Sequence, residues 1–174
     1  MSTIRIIGID PGSRSTGYGV IDSDGIRLAH VASGFVKSGA GDWAERLRMI
    51  YDGLDEVIDA HAPSELAIEK VFLHRNPSSA LKLGQARGVA ILAGARRSLA
   101  VHEYSPNEIK QAVTGKGHAS KEQIQYMTRI LLSLRGAPQT DEADALAVAI
   151  CRAHLRGTST RRERMMARAA GGFR

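Results

Sequence analysis

Cysteine is nearly absent: Cys151 is the only one in 174 residues. No disulfide can form within the chain, and no Cys-based zinc site can be assembled from it. A reducing compartment fits. No apolar run approaches the roughly 20 residues that cross a bilayer. The opening MSTIRIIGID reaches an acid and a glycine too early for a secretory signal. Export and membrane insertion are therefore not expected, and a cytoplasmic location is. No internal repeat is present. The hydrophobic share of 43% is ordinary for one soluble domain with a sizeable core.

Charge is unevenly spread. The net charge is +6, but residues 1–69 carry 6 basic and 11 acidic side chains, and residues 70–135 carry 11 and 3. Residues 136–154 are acidic again, with three acids to one base, and residues 155–174 carry six bases and one acid. A basic middle between acidic segments suits a polyanion surface beside clustered carboxylates. A solvated basic face with no partner accounts for the same numbers.

The chain predicts an α/β domain over residues 1–154 followed by a basic, mobile tail over 155–174. IRIIGID, from Ile4, is a β-branched run suited to a strand buried on both faces, ending in Asp10 and the turn Pro11-Gly12. Gly12, Gly17 and Gly19 give the hairpin its turn and leave room for a phosphate to approach the backbone. A third strand is expected over Ile26–Lys37. A helix follows from Asp42, whose DWAE resembles a capping box; Trp43 and Tyr51 share its apolar period and belong to its face. ELAIEKV predicts a parallel strand with Glu69 near its end. Asn76-Pro77 opens a helix to about Leu99 whose Gly84, Ala86, Gly88, Ala90, Ala93 and Gly94 permit close packing against a neighbour or a second subunit. AVHEY is the last strand, and capping boxes at Ser105 and Ser120 start two more helices. A final helix runs from Thr140 to Ile150. The whole is a mixed five-stranded sheet, three antiparallel strands then parallel ones, flanked by helices.

Asp10, Glu69, Asp141 and Asp144 each have a bland explanation. Asp10 suits a turn, Glu69 suits an ion pair with a nearby Lys or Arg, and acids in a helix's first turn suit its dipole. Together they place two acids at strand ends and two on one face of a helix start, a way to surround a hard divalent cation with oxygens on rigid elements. Mg²⁺ fits, because it uses few carboxylates and leaves positions for water or phosphate oxygens. Two such ions, with Mn²⁺ as a substitute, can drive an in-line phosphoryl displacement. With a basic surface alongside, a nuclease follows; Arg75, Lys82, Arg87 and Lys116 are candidate DNA contacts.

GIDPGSRSTGYGVI, AIEKVF, SALKLGQARGVAI and DEADALAVAI, in that order, resemble the RuvC family of bacterial Holliday-junction resolvases, ribonuclease-H-like nucleases, over nearly the whole chain. The resemblance implies a homodimer that opens a four-way DNA junction and makes paired nicks in strands of like polarity, in recombination and repair. It carries Asp10, Glu69, Asp141 and Asp144 over as metal-binding catalytic acids. It also implies that Phe72 stacks at the junction's centre, that Lys110 and Lys121 lie near the scissile phosphate, and that a branch-migration motor of the RuvA and RuvB type is a partner. Lys70 stands where Gln is usual, and the fourth acid, His in some relatives, is Asp144. Two rival readings stay open. The opening hairpin also resembles the phosphate hairpin of actin-like and sugar-kinase ATPases, and a non-enzymatic DNA-binding protein would need the basic surface without four convergent acids.

Overall fold

The computed structural model describes residues 3–71 and 76–170, with side chains described up to residue 157. Phe72 and Arg75 lie outside the described residues. The sheet comprises β1 (Ile4–Asp10), β2 (Ser15–Ser23), β3 (Leu28–Lys37), β4 (Glu65–Glu69) and β5 (Ala100–Tyr104), in the spatial order β3-β2-β1-β4-β5. β1, β2 and β3 pair antiparallel, whereas β1–β4 and β4–β5 are parallel. This is the mixed sheet expected. The helices are α1 (Trp43–His61), α2 (Pro77–Arg96), α3 (Pro106–Thr114), α4 (Lys121–Leu131) and α5 (Thr140–Ala170).

Strand alternation sorts the core into two layers. Ile7, Ile9, Val20, Leu66 and Ile68 pack with Ile50, Leu54 and Ile58 of α1 and with Ala86, Ala90 and Ala93 of α2. Ile6, Ile21, Ala67 and Tyr104 point the other way, into a core with Ile109, Ile124 and the Leu146–Cys151 stretch of α5. Ser105 and Ser120 form full capping boxes with Glu108 and Gln123. At α1 the box is half made. Asp42 accepts from the Glu45 amide at 2.9 Å, but the Glu45 carboxylate turns to Arg48 instead of back to the cap.

One expectation needs correcting and one is made more specific. The final helix does not stop at Ile150; its backbone continues to Ala170, through most of the segment read as a mobile tail. The small residues of α2 do two different things. Ala86, Ala90, Ala93 and Gly94 are buried, and a Cβ on Gly94 would meet Leu66, whereas Gly84 and Gly88 face open space.

At the end of the sheet where β4 begins, Glu65 takes Arg152 of α5 at 2.7 Å and Arg156 at 3.3 Å. Burial pushes the Glu65 carboxyl up, but the Arg152 hydrogen bond and the two arginine charges outweigh it, and the group sits below its ordinary value. The side chains of Glu65 and Arg152 are only 13% and 17% exposed, so solvent screens the pair little. Because the folded value is depressed, the stabilisation is present above the unfolded carboxyl's range and is lost as pH falls through the folded value. Glu65→Gln should cost about 2 kcal/mol at neutral pH, shrinking toward zero in acid, as chemical denaturation across a pH series would show.

Candidate active site

Asp10 and Glu69 end adjacent parallel strands. Ile9 stands beside Ile68 in the register, so the next residues of β1 and β4 are neighbours. Alternation puts both on one face: Ile6 and Ala67 belong to the α5 layer, and Asp10 and Glu69 follow them at even spacing. Asp141 and Asp144, in the first turns of α5, complete the group.

Glycines set how closely α5 can lie. A Cβ on Gly8 would come within 2.5 Å of the Ala149 nitrogen, and one on Gly19 within 2.8 Å of the Leu146 nitrogen. At Gly17, the register partner of Asp10, it would run into the Asp141 carbonyl oxygen. The helix backbone thus rests on the strands, and its acidic first turn is carried over the end of β1. The phosphate approach expected at Gly17 and Gly19 is therefore corrected: both lie in β2, and the group that needs their bare backbone is α5. Gly8 was not singled out from the sequence, although a glycine interrupting Ile6-Ile7-Gly8-Ile9 is the usual mark of a close backbone approach.

The crowding shows in the ionisation. Burial, then the charges of Asp144, Glu69 and Asp141, pushes the Asp10 carboxyl up to about 7, with Lys121 opposing. Glu69 is also raised, by burial and then by Asp144, against Lys110 and Lys121. The Lys121 ammonium bonds Asp144 Oδ2 at 2.8 Å, which raises the lysine's own value. Among the described residues no three acidic, histidine or cysteine side chains are drawn together at metal-ligand spacing; Lys121 supplies the positive charge at Asp144. The donor set nevertheless fits a hard divalent cation: four carboxylates on strand ends and one helix, among which burial and then its neighbours' charges raise Asp10 to about 7.

A cavity of about 200 Å³ opens beside the acids, lined by Glu69, Asp144, Lys110 and Lys121, with Pro106, Ile109 and Ile124 among its apolar walls. Lys116 is exposed in the loop after α3, its amide donating to Thr114 Oγ1 at 3.1 Å. Lys82 is exposed on α2 with its ammonium 5.7 Å from the Trp43 ring. Arg87 is not at this surface: its Nε donates to the Glu69 carbonyl at 3.0 Å, and its Nη2 donates to Glu103. Lys70 is exposed and turned away from the interior.

A family model described as Crossover junction endodeoxyribonuclease RuvC matches residues 6–152. The chain belongs to the RuvC family. A RuvC of Pseudomonas fluorescens is 52% identical over 167 residues, covering 96% of each chain. The structure of Thermus thermophilus RuvC in complex with a Holliday junction substrate superposes with a TM-score of 0.84 at 32% identity, over 90% of this chain and 97% of that one. The yeast mitochondrial Holliday junction resolvase shares the fold, with a TM-score of 0.67 at 13% identity over 90% of this chain and 81% of that one. RuvC membership decides for a nuclease over the ATPase and the non-enzymatic readings, and implies dependence on a divalent metal in general.

Gly17→Ala tests whether helix seating sets the site. The added methyl should push the first turn of α5 off β2, costing about 1–3 kcal/mol of stability. Junction nicking should fall by more than the unfolded fraction explains, measured as rate per folded molecule after thermal unfolding curves.

Proposed function

We propose that this chain resolves four-way DNA junctions by paired hydrolytic nicks, with Asp10, Glu69, Asp141 and Asp144 as its metal-holding catalytic acids. The observation that carries the assignment is their convergence at one end of the sheet, beside a cavity walled by Lys110 and Lys121. Mg²⁺ is the cation the four acids suit best, as two ions per site, with Mn²⁺ able to replace it. Bound there, such ions acidify the attacking water and offset the charge that develops on the phosphate and the leaving oxygen.

The protein's own groups do the rest. β1, β4 and α5 hold the carboxylates on rigid elements, so little reorganisation is left for the reaction. Lys121 holds Asp144 at 2.8 Å before substrate arrives; a scissile phosphate entering the cavity offers its ammonium a second anion. Lys110, which also lines the cavity, attracts the same phosphate. Exposed Lys82 and Lys116 lie outside the cavity and suit the junction arms, where lysine acts as a point charge on the backbone. Phe72, three residues past the end of β4, is assigned to stacking on an unpaired base, and Arg75 to a phosphate. The basic segment over 155–174 adds attraction to phosphates without sequence preference.

The active form is a symmetric homodimer acting in the cytoplasm with a branch-migration motor of the RuvA and RuvB type. Support for the dimer comes from α2. Leu81 and Leu92 are 69% and 51% exposed, and Gly84 and Gly88 between them meet nothing within 4 Å. Spacings of three and four put these residues on one outward stripe, where the glycines let a second helix come close. Gly88→Leu should leave the protomer folded, since the site is open, and shift the protein to monomers in sedimentation or light scattering.

Glu69→Gln preserves size and removes charge. The nicking rate in Mg²⁺ should fall at least on the order of a hundredfold, with junction affinity in Ca²⁺ equal or slightly higher, because a negative charge near DNA is gone. An ion-pair role for Glu69 instead predicts near-normal nicking with at most ~1 kcal/mol of lost stability.

A further inference from the structure

Arg87 reads from the sequence as a DNA contact, but its side chain is only 19% exposed and turns inward. From α2 it reaches two adjacent parallel strands at once, β4 and the edge strand β5. Nε donates to the backbone carbonyl of Glu69 at 3.0 Å, and Nη2 donates to the Glu103 carboxylate on β5. Glu69 is the last residue of β4. The strand on one side of it ends at Asp10 and continues as Pro11, which has no N–H to offer. On the other side, the amide after Glu69, that of Lys70, is tied to the Tyr104 carbonyl at 2.7 Å. The peptide group on the C-terminal side of Glu69 is therefore held at its nitrogen by β5 and at its oxygen by Arg87.

We infer that Arg87 is a positioning residue: its forked guanidinium, braced on Glu103, fixes the end of β4 and with it the direction in which Glu69 presents its carboxylate. The inference rests on the assignment of Glu69 as a metal-holding acid. Arginine suits the task because its planar fork meets two acceptors on different strands, which a lysine ammonium on a flexible stem does not reproduce. Partners that orient a metal-binding carboxylate typically alter metal affinity by 10–100-fold when removed.

The test compares Arg87→Gln, Arg87→Lys and Glu103→Gln with the wild type. Mg²⁺ is titrated calorimetrically into the DNA-free protein, nicking is followed as a function of Mg²⁺, and junction affinity is measured in Ca²⁺ across a salt series. A positioning role predicts that both Arg87 variants bind Mg²⁺ about tenfold more weakly and need correspondingly more of it to nick. Junction affinity and salt slope should stay at wild-type values. Glu103→Gln should shift in the same direction by less. A merely structural role would lower the unfolding temperature and leave the Mg²⁺ response in place, which would overturn the inference. A phosphate contact would also overturn it: Arg87→Gln would lose junction affinity with a salt slope smaller by about one, and Arg87→Lys would restore both. If Arg87→Gln does not fold, Glu103→Gln decides, and a wild-type Mg²⁺ response in that variant overturns the inference. Glu69→Gln, run alongside, separates the two levels. Wild-type nicking by Glu69→Gln removes the site assignment, and with it this inference. An inactive Glu69→Gln beside Arg87 variants with normal Mg²⁺ binding removes the positioning role alone.

Discussion

The seating of α5 directly on the backbone of β1 and β2 is the constraint on which the rest of the structure depends. Gly8, Gly17 and Gly19 present no side chain to the helix, which meets them with Ala145 and Ala149 at Gly8, Asp141 at Gly17 and Leu146 at Gly19. Larger residues on either side would stand the helix away from the sheet and carry Asp141 and Asp144 away from Asp10. The close approach has an electrostatic cost, since it forces carboxylates into one another's fields with little water to screen them. That cost is also what makes the place selective for a cation, because a positive ion relieves there what it could not relieve at a dilute surface.

Much of this was legible in the sequence. Five strands and five helices follow from β-branched runs, capping residues and turn signals, and the strand-end positions of Asp10 and Glu69 follow from where the apolar runs stop. The misreadings of the glycines share a cause: each concerned what a residue faces, which depends on long-range packing. Gly17 and Gly19 look like a loop built for a ligand until α5 is laid over them. Gly84 and Gly94 are indistinguishable along the chain, yet one is open and the other touches Leu66. The continuation of α5 past Ile150 was missed because its sequence there lacks an apolar stripe, and periodicity detects only helices that bury a face.

The basic middle segment likewise contains two populations that a charge count cannot separate. Arg97 is held by Asp55 and Asp59 of α1, at 2.8 and 2.7 Å, and Arg87 by Glu69 and Glu103. Lys82 and Lys116 are exposed instead. For these four the division follows guanidinium and ammonium chemistry, since a guanidinium fork pairs two oxygens at fixed angles and gains from being held; Lys121, paired with Asp144, departs from it. An ammonium on a four-carbon stem stays hydrated and movable, which suits a backbone whose phosphates shift as a junction opens. The net charge of a segment therefore overstates the field it projects toward DNA.

β4 is five residues long and carries an acid at each end. Glu65 is neutralised within the fold by Arg152 and Arg156, whereas Glu69 ends its strand beside Asp10 and lines a cavity together with Asp144. The two ends are about 13 Å apart at the rise of an extended strand, beyond the range over which substitutions usually couple. Durability and reactivity are thus written at opposite ends of one short strand. A lineage adapting to heat or acidity can rework the Glu65 end, and one adapting to a different substrate geometry the Glu69 end, with neither change constraining the other.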